Sequence, residues 1–342
     1  MTEQAKICVF GAGSIGCYVG GRLAATGSAV QFIGRPRLAR ELSATGLRLT
    51  DWEGADLRVP AAELHFATMP QAAADADLVL VTVKSAATDE AGAELAGLLK
   101  PGAVVVSFQN GLHNAELLRQ RLPGRTVLTG MVPFNVLNRG GGAFHHGSEG
   151  RLEAEEHPAL ERFLPAFAKA GLPLELHAQM LPVLWAKLLL NLNNAVNALS
   201  DLPLKEELSQ RAYRRCVAMA QEELLGLLDT AGVTPAKLTP LPPQWIPKLL
   251  GVPDFLFRRL ASQMLEIDPL ARSSMWEDLQ AGRRTEVDFL NGEVVKLAYA
   301  QGRQAPVNAR LMSLVHQAEH GGQRQWSGEA LLRELRRARA GE

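Results

Sequence analysis

Cysteine is scarce: Cys8, Cys17 and Cys216 are an odd, widely dispersed set of 3 in 342 residues. That scarcity excludes a disulfide framework and a cysteine-built zinc cluster. Their apolar neighbours suit reduced thiols acting as small hydrophobes. Net charge is missing too, because 36 Lys and Arg balance 36 Asp and Glu. No chain-wide electrostatic footprint for nucleic acid or for an anionic membrane is therefore expected. Long hydrophobic runs are also lacking. The most apolar stretch, residues 180–192, is interrupted by Pro182 and Lys187, short of the ~20 apolar residues that a membrane-crossing helix needs. The opening MTEQAKICVF has no basic region followed by an apolar segment, so no signal peptide is expected and a cytoplasmic location is.

What is present is ordinary globular composition, 47% hydrophobic and 21% charged, which argues against disorder. At roughly 100–200 residues per domain, the length suggests about two domains. The first half alternates strand and helix. Apolar runs at 5–10, 29–33, 77–83, 103–108 and 126–132 are separated by helix-length segments. A parallel sheet covered on both faces requires that pattern. Residues 46–60 read as an inserted hairpin, and 142–153 as added antiparallel edge strands. Beyond about residue 180 the texture turns helical: Val287, Leu290, Val294 and Leu297 fall on one apolar helix face. Six of the 19 prolines lie between Pro235 and Pro253, which marks a structured loop or broken helix. The expected division is residues 1–179, an α/β domain, and 180–342, an all-helical domain.

Gly11-Ala12-Gly13-Ser14-Ile15-Gly16 is G-x-G-x-x-G directly after a strand and opening a helix. The first glycine permits the tight turn, the second lets a pyrophosphate approach the backbone, and the third lets helix and sheet pack closely. In that context the hexapeptide predicts a Rossmann-type dinucleotide site, with no metal needed. The second strand then selects the dinucleotide. An acid would accept the ribose 2′-hydroxyl of NAD, but this strand reads Val30-Gln31-Phe32-Ile33-Gly34-Arg35. A guanidinium at Arg35 suits a 2′-phosphate, and Lys84 at the end of DLVLVTVK is a second cation for it. NADP(H) is the expected cofactor.

The helix over 181–199 is apolar nearly all round, yet Lys187, Asn191 and Asn194 share a stripe about 60° wide. On a buried helix such a stripe needs a polar partner opposite. Together with FGAGSIG, VTVKS at Lys84, FQNG at Asn110, WAKLLLN at Lys187 and SSMWEDLQAGRRTEVDFLNGEV at Glu286, it carries a resemblance. The chain resembles the ketopantoate reductases (2-dehydropantoate 2-reductases) over nearly its whole length.

The resemblance implies a Rossmann domain followed by a helical domain, with the active site in the cleft between them. It implies NADPH-dependent reduction of a 2-keto acid, ketopantoate to D-pantoate being the prototype in pantothenate and coenzyme A synthesis. Lys187 is then the general acid, able to stabilise and protonate the developing oxyanion. Glu286 binds substrate hydroxyls or orients the lysine. Asn191 and Ser274 contact substrate, and Asn110 lies beside nicotinamide and substrate. A 2-keto acid is the expected small-molecule partner, and a homodimer is compatible with the sequence.

Three of these residues also have a structural use. Ser274 before Met275-Trp276-Glu277 fits a capping box. Glu286 suits the first turn of a helix, and Asn110-Gly111 suits a turn. The family pattern places a second Asn where this chain has Ala195, and Asn194 or Asn197 is close enough to substitute. The departure, and the proline-rich stretch 234–257, bear on which 2-keto acid is used: a paralogue acting on another keto acid is the alternative, with a non-catalytic NADPH-binding sensor behind it. His316-Gln317-Ala318-Glu319-His320 matches H-x-x-E-H, but a third ligand is lacking and helix-end histidines before Gly321-Gly322 explain it.

Overall fold

The computed structural model describes residues 4–147, 149–260 and 271–342. The chain forms two compact units, Met1–Met180 and Leu181–Glu342.

In the first unit the order is β1 (Lys6–Phe10), α1 (Ser14–Ala25), β2 (Ala29–Ile33), α2 (Pro36–Thr45), β3 (Leu47–Asp51), β4 (Asp56–Val59), β5 (His65–Ala67), β6 (Leu78–Val81), α3 (Thr88–Leu95), β7 (Val104–Ser107), α4 (Asn114–Arg121), β8 (Thr126–Met131), β9 (Val136–Gly140), β10 (Ala143–His146), β11 (Glu153–Glu155), α5 (Pro158–Glu161), α6 (Leu164–Lys169) and β12 (Glu175–His177). The main sheet runs β5-β2-β1-β6-β7-β8-β11-β12. Its first six strands are parallel, β11 is antiparallel to β8, and β12 is parallel to β11. This is the strand order of a doubly wound dinucleotide fold. Alternation along β1 explains its uninterrupted apolar sequence. Ile7 and Val9 join a core that holds Val19 and Leu23 of α1, whereas Cys8 joins Leu95 of α3 and Leu118 of α4 on the other face. Burial pushes the Cys8 thiol up to about 12, and all three thiols are free and buried.

The hairpin expected at 46–60 forms as β3–β4. Residues 142–153 depart from expectation. They add antiparallel strands but not edges: β10 pairs antiparallel with β9 and parallel with β3 inside a separate sheet ordered β4-β3-β10-β9, and β11 pairs antiparallel with β8 and parallel with β12 in the main sheet.

The second unit contains α7 (Leu181–Asn191), α8 (Asn193–Ser200), α9 (Leu204–Ser209), α10 (Arg211–Thr230), α11 (Ile246–Leu250), α12 (Asp254–Leu260), α13 (Ser274–Gln280), α14 (Asn291–Ala300), α15 (Pro306–Glu319) and α16 (Gly328–Ala340). The single helix expected over 181–199 is two, separated at Leu192. The helix expected from Val287 begins only at Asn291. A 3-10 turn covers Val287–Phe289, and Leu290, at φ −117° and ψ −86°, interrupts the winding. The proline-rich segment is a 3-10 turn (Pro243–Trp245) followed by α11 and α12. Fully buried Arg214 of α10 pins it. Its guanidinium donates to Leu208 O, Leu250 O, Val252 O and Asp254 Oδ1, and lies 4.1 Å from the Phe257 ring centroid. Among the described residues, no helix is long and apolar enough to cross a membrane.

Glu207 is fully buried and has amides rather than a cation for partners, with Asn197 Nδ2 donating to Oε2 at 2.7 Å. Burial pushes its carboxyl up to about 8 despite the hydrogen bonds from Asn197 and Asn193. A carboxyl with a raised native value binds its proton in the folded state while the unfolded chain has lost it. Stability should therefore fall as pH rises from about 4.5 towards 8. Glu207→Gln should remove that decline. The variant should melt a few degrees above wild type at pH 8, by about that much for a chain of this size, and together with it at pH 4.5. Thermal unfolding across this range checks it, and a wild type with no such slope contradicts it.

Candidate active site

The turn after β1 is built as the six-residue pattern predicts. Gly11 has φ +102°, and a Cβ there would lie 2.6 Å from Val83. Gly11 and Ala12 both donate to Ile33 O, at 3.0 and 2.8 Å, which ties the turn to the end of β2. At Gly16 a Cβ would meet Thr82 Oγ1 at 2.6 Å and Val9 Cγ1 at 2.8 Å, so α1 lies directly on the sheet. Gly13 differs, since a Cβ there would find nothing nearer than 3.9 Å. The space above it is open rather than packed. Helix α1 has no side-chain cap and no acid in its first turn. Ser14, Ile15 and Gly16 begin it, so backbone N–H groups and the positive end of the helix dipole meet that open space. These are the features that a pyrophosphate requires, and the residues fit a dinucleotide.

Arg35 and Lys84 lie exposed just beyond the C-terminal ends of β2 and β6, the two strands that flank β1. Arg35 also precedes α2, with Pro36 in its first turn. The structure therefore gathers residues 11–16, 33–35, 82–85 and 109–110 at one edge of the sheet, where its strand order reverses.

A buried polar network holds that edge and was not foreseen from sequence. Ser107 Oγ donates to Gln109 Oε1 (2.8 Å), and Gln109 Nε2 donates to Thr88 Oγ1 (2.7 Å) and Val83 O (3.1 Å). Thr88 Oγ1 donates onward to Asn114 Oδ1 (2.8 Å). Asn114 Nδ2 donates to Asn110 O (2.5 Å) and Ser85 Oγ (3.2 Å), and Ser85 Oγ donates to Asn110 O (2.8 Å). The Thr88 and Ser85 hydroxyls each accept once and donate once, so the chain is directional and the loops after β6 and β7 are bolted together. Half-buried Asn110 stands on that support.

In the second unit Lys187 is half-buried on α7, Asn191 is buried one turn on, and Asn194 is half-buried in the first turn of α8. The break at Leu192 keeps helical dihedrals, φ −60° and ψ −18°, so the polar stripe survives it. Ser274 proves not to be the cap of α13. Ser273 is: its Oγ accepts from Trp276 N (3.1 Å). Ser273 is buried, its N–H donates to Asn197 Oδ1 (2.9 Å) and its Oγ donates to Asn194 O (3.4 Å). Ser274 itself is exposed at the first helical position, which leaves its hydroxyl without the structural use foreseen for it. Asn197 is committed to the interior, bonding Ser273 N, Leu202 O and Glu207 Oε2. Of the two amides that could stand in for the residue replaced by buried Ala195, only Asn194 keeps a partly exposed side chain. Glu286 lies before the 3-10 turn Val287–Phe289 rather than in the first turn of a helix, with φ −98° and ψ 24°.

The residues of H-x-x-E-H hold their own structure. His316 bonds Glu319 Oε2 through Nδ1 (3.0 Å) and Asp288 Oδ1 through Nε2 (2.9 Å), and His320 Nδ1 bonds His316 O (2.7 Å).

A doubly wound sheet with this turn defines a dinucleotide-dependent enzyme class, and comparison with known proteins narrows it. The family model for ketopantoate reductase PanE/ApbA matches residues 7–159, and the model for the C-terminal part of the same family matches 179–319. The chain is 32% identical to a 2-dehydropantoate 2-reductase of Halobacterium salinarum, covering 93% of this chain and 100% of that one. It superposes with a TM-score of 0.78 on a PanE/ApbA family ketopantoate reductase from Ralstonia eutropha, at 32% identity over 92% of this chain and 99% of that one. A D-mandelate dehydrogenase solved with NADH and anilino(oxo)acetate shares the fold at TM-score 0.77 and 18% identity, over 92% and 99% of the chains. The chain belongs to the ketopantoate reductase family and is an NADP-dependent oxidoreductase with a Rossmann-type first unit followed by a helical second one.

Gln109→Leu should strand the hydrogen-bonding groups of Ser107 and Thr88 and the Val83 carbonyl. The expected cost is about 1–3 kcal/mol of stability, set by unpaired buried polar groups, together with a weaker NADPH complex. Denaturant unfolding and cofactor titration check both. An unchanged midpoint would show that the network holds nothing.

Proposed function

We propose that this chain reduces 2-dehydropantoate (ketopantoate) to D-pantoate with NADPH, Lys187 being the general acid. The observation that supports it most is a half-buried lysine beside a buried amide on a helix that is otherwise apolar. An ammonium so placed can act on negative charge that develops in a bound substrate. NADPH, when bound, supplies the hydride. As charge grows on the keto oxygen, the Lys187 Nζ ammonium stabilises it and passes a proton to it. Asn191 and Asn194, in line with the lysine, orient the substrate by hydrogen bonding. Ser274 offers a hydroxyl to the substrate carboxylate, and Glu286 accepts from a substrate hydroxyl or keeps Lys187 oriented. On the first unit, Gly11 to Gly16 cradle the pyrophosphate, Arg35 and Lys84 pair with the 2′-phosphate, and Asn110 stands beside the nicotinamide.

A family paralogue acting on another 2-keto acid is the second reading. It is favoured by Ala195 and by the engagement of Asn197 in the interior, which alter the amide set offered to the part of the substrate beyond its keto acid group.

Steady-state oxidation of NADPH with ketopantoate, followed for wild type and Lys187→Ala, tests the proposal. The substitution should lower kcat by about 10²–10⁴, the range for a positioned acid, while leaving NADPH affinity unchanged. NADH should be the poorer cofactor, and Arg35→Ala should erase most of that preference. A Lys187→Ala enzyme within tenfold of wild type would remove the lysine from the mechanism. Turnover of other keto acids but not of ketopantoate would select the second reading.

A further inference from the structure

One imidazole is linked to the chain on both sides of Glu286. On its N-terminal side, the Thr285 N–H donates to Glu319 Oε1 (2.7 Å), and Val287 N donates to Thr285 Oγ1 (3.3 Å). On its C-terminal side lies Asp288, two residues on, and Glu286 O accepts from Phe289 N (3.0 Å) within the same 3-10 turn. His316 of α15 joins the two sides, with Nδ1 3.0 Å from Glu319 Oε2 and Nε2 2.9 Å from Asp288 Oδ1. We propose that His316 is a positioning residue for Glu286, fixing both flanks of the turn that carries it while the imidazole holds two protons. The inference rests on the role given to Glu286 in the proposed function.

The chemistry of the ring makes this conditional. An imidazolium donates from both nitrogens and satisfies both carboxylates, whereas a neutral ring has one N–H and turns a lone pair toward the other carboxylate. One flank must then let go. Burial works against the charged ring, but the bonds and charges of Glu319 and Asp288 outweigh it and raise His316 above its ordinary 6.5. Burial likewise opposes the Glu319 carboxylate, and Thr285 and His316 together hold it below the usual range.

Several charged groups on the elements packed against α15 are paired with one another. Arg310 of α15 pairs with Glu334 of α16, Lys296 with Glu293 on α14, and Arg339 of α16 with Glu222 of α10. Glu223 of α10 accepts from Val307 N and Asn308 N, α8 carries no titratable side chain, and His320 is bonded to His316 O. Asp288 and Glu319 are the charges that raise the ring. A group with a raised native value loses its proton only above its ordinary one. The clamp is therefore complete below pH 6.5 and released as pH climbs beyond it.

The test is the pH profile of kcat/KM for ketopantoate from pH 6 to 9, with NADPH affinity and melting temperature measured alongside. Wild type should lose roughly tenfold in kcat/KM as the clamp opens, a modest misplacement by the standard of substrate-positioning groups, at constant NADPH affinity. His316→Asn should be low at every pH and lack that transition. His316→Arg, permanently charged and able to reach two carboxylates, should keep the activity seen at pH 6 and flatten the decline. Asp288→Asn, on an exposed side chain, should move the transition to lower pH.

A wild-type profile with no such transition overturns the inference. So does a His316→Arg profile that falls with pH as wild type does, or a His316→Asn enzyme whose NADPH affinity and melting temperature fall in step with kcat/KM. Glu286→Gln is measured in parallel. If it turns over like wild type, the role of Glu286 fails and the inference with it. If it is crippled while His316→Asn and wild type share one profile, the inference fails alone.

Discussion

The contact on which the first unit depends is that of α1 with β1. The helix lies so near the strand that no Cβ fits at Gly16, with Thr82 and Val9 already in place. The approach fixes more than packing. It sets the axis of α1 so that its uncapped first turn ends over the open space at Gly13, and backbone donors and helix dipole then act at one point. The strands on either side of β1 carry the surrounding groups. The ends of β2 and β6 present Arg35 and Lys84, and β7 leads to Asn110. A phosphate-binding turn alone would leave these loops to find their own positions. The Gln109–Thr88–Asn114–Ser85 network removes that freedom, because every donor in it already has an acceptor.

The second unit meets a different constraint, which is to carry polar function on helices that must bury most of their surface. Its solution is to spend some amides on structure and expose others. Asn197 ties α8 to Ser273 and to Glu207, which fixes the start of α13 and leaves Ser274 turned outward. Asn194 keeps its side chain partly exposed and gives only its carbonyl to Ser273. Arg214 serves the same end, since its guanidinium binds three carbonyls and Asp254 and so holds the proline-rich segment against α10.

Features set by local chemistry were legible in the sequence. The glycine turn, the doubly buried strands, the 46–60 hairpin and the broken proline-rich stretch all follow from neighbours within a few residues. The family likeness was legible in the same way, through short ordered stretches that the comparisons bear out. Features set by distant contacts were not. The parallel pairing of β10 with β3 joins residues nearly a hundred positions apart, and the three-residue strands β11 and β12 are too short to show a period. The cap expected at Ser274 falls on Ser273, whose N–H is held by Asn197, 76 residues earlier. H-x-x-E-H looked idle for a similar reason, its partner Asp288 lying on another element.

Hydride delivery to a keto carbon assisted by Lys187 is tested most directly by isotope transfer. NADPH carrying deuterium at the transferable C4 position is incubated with ketopantoate, and the product is analysed by mass spectrometry. Wild type should give D-pantoate with one deuterium at C2, and Lys187→Ala should form that labelled product about 10²–10⁴ times more slowly. An enzyme that binds NADPH yet passes no deuterium to ketopantoate or to any other 2-keto acid would contradict this mechanism.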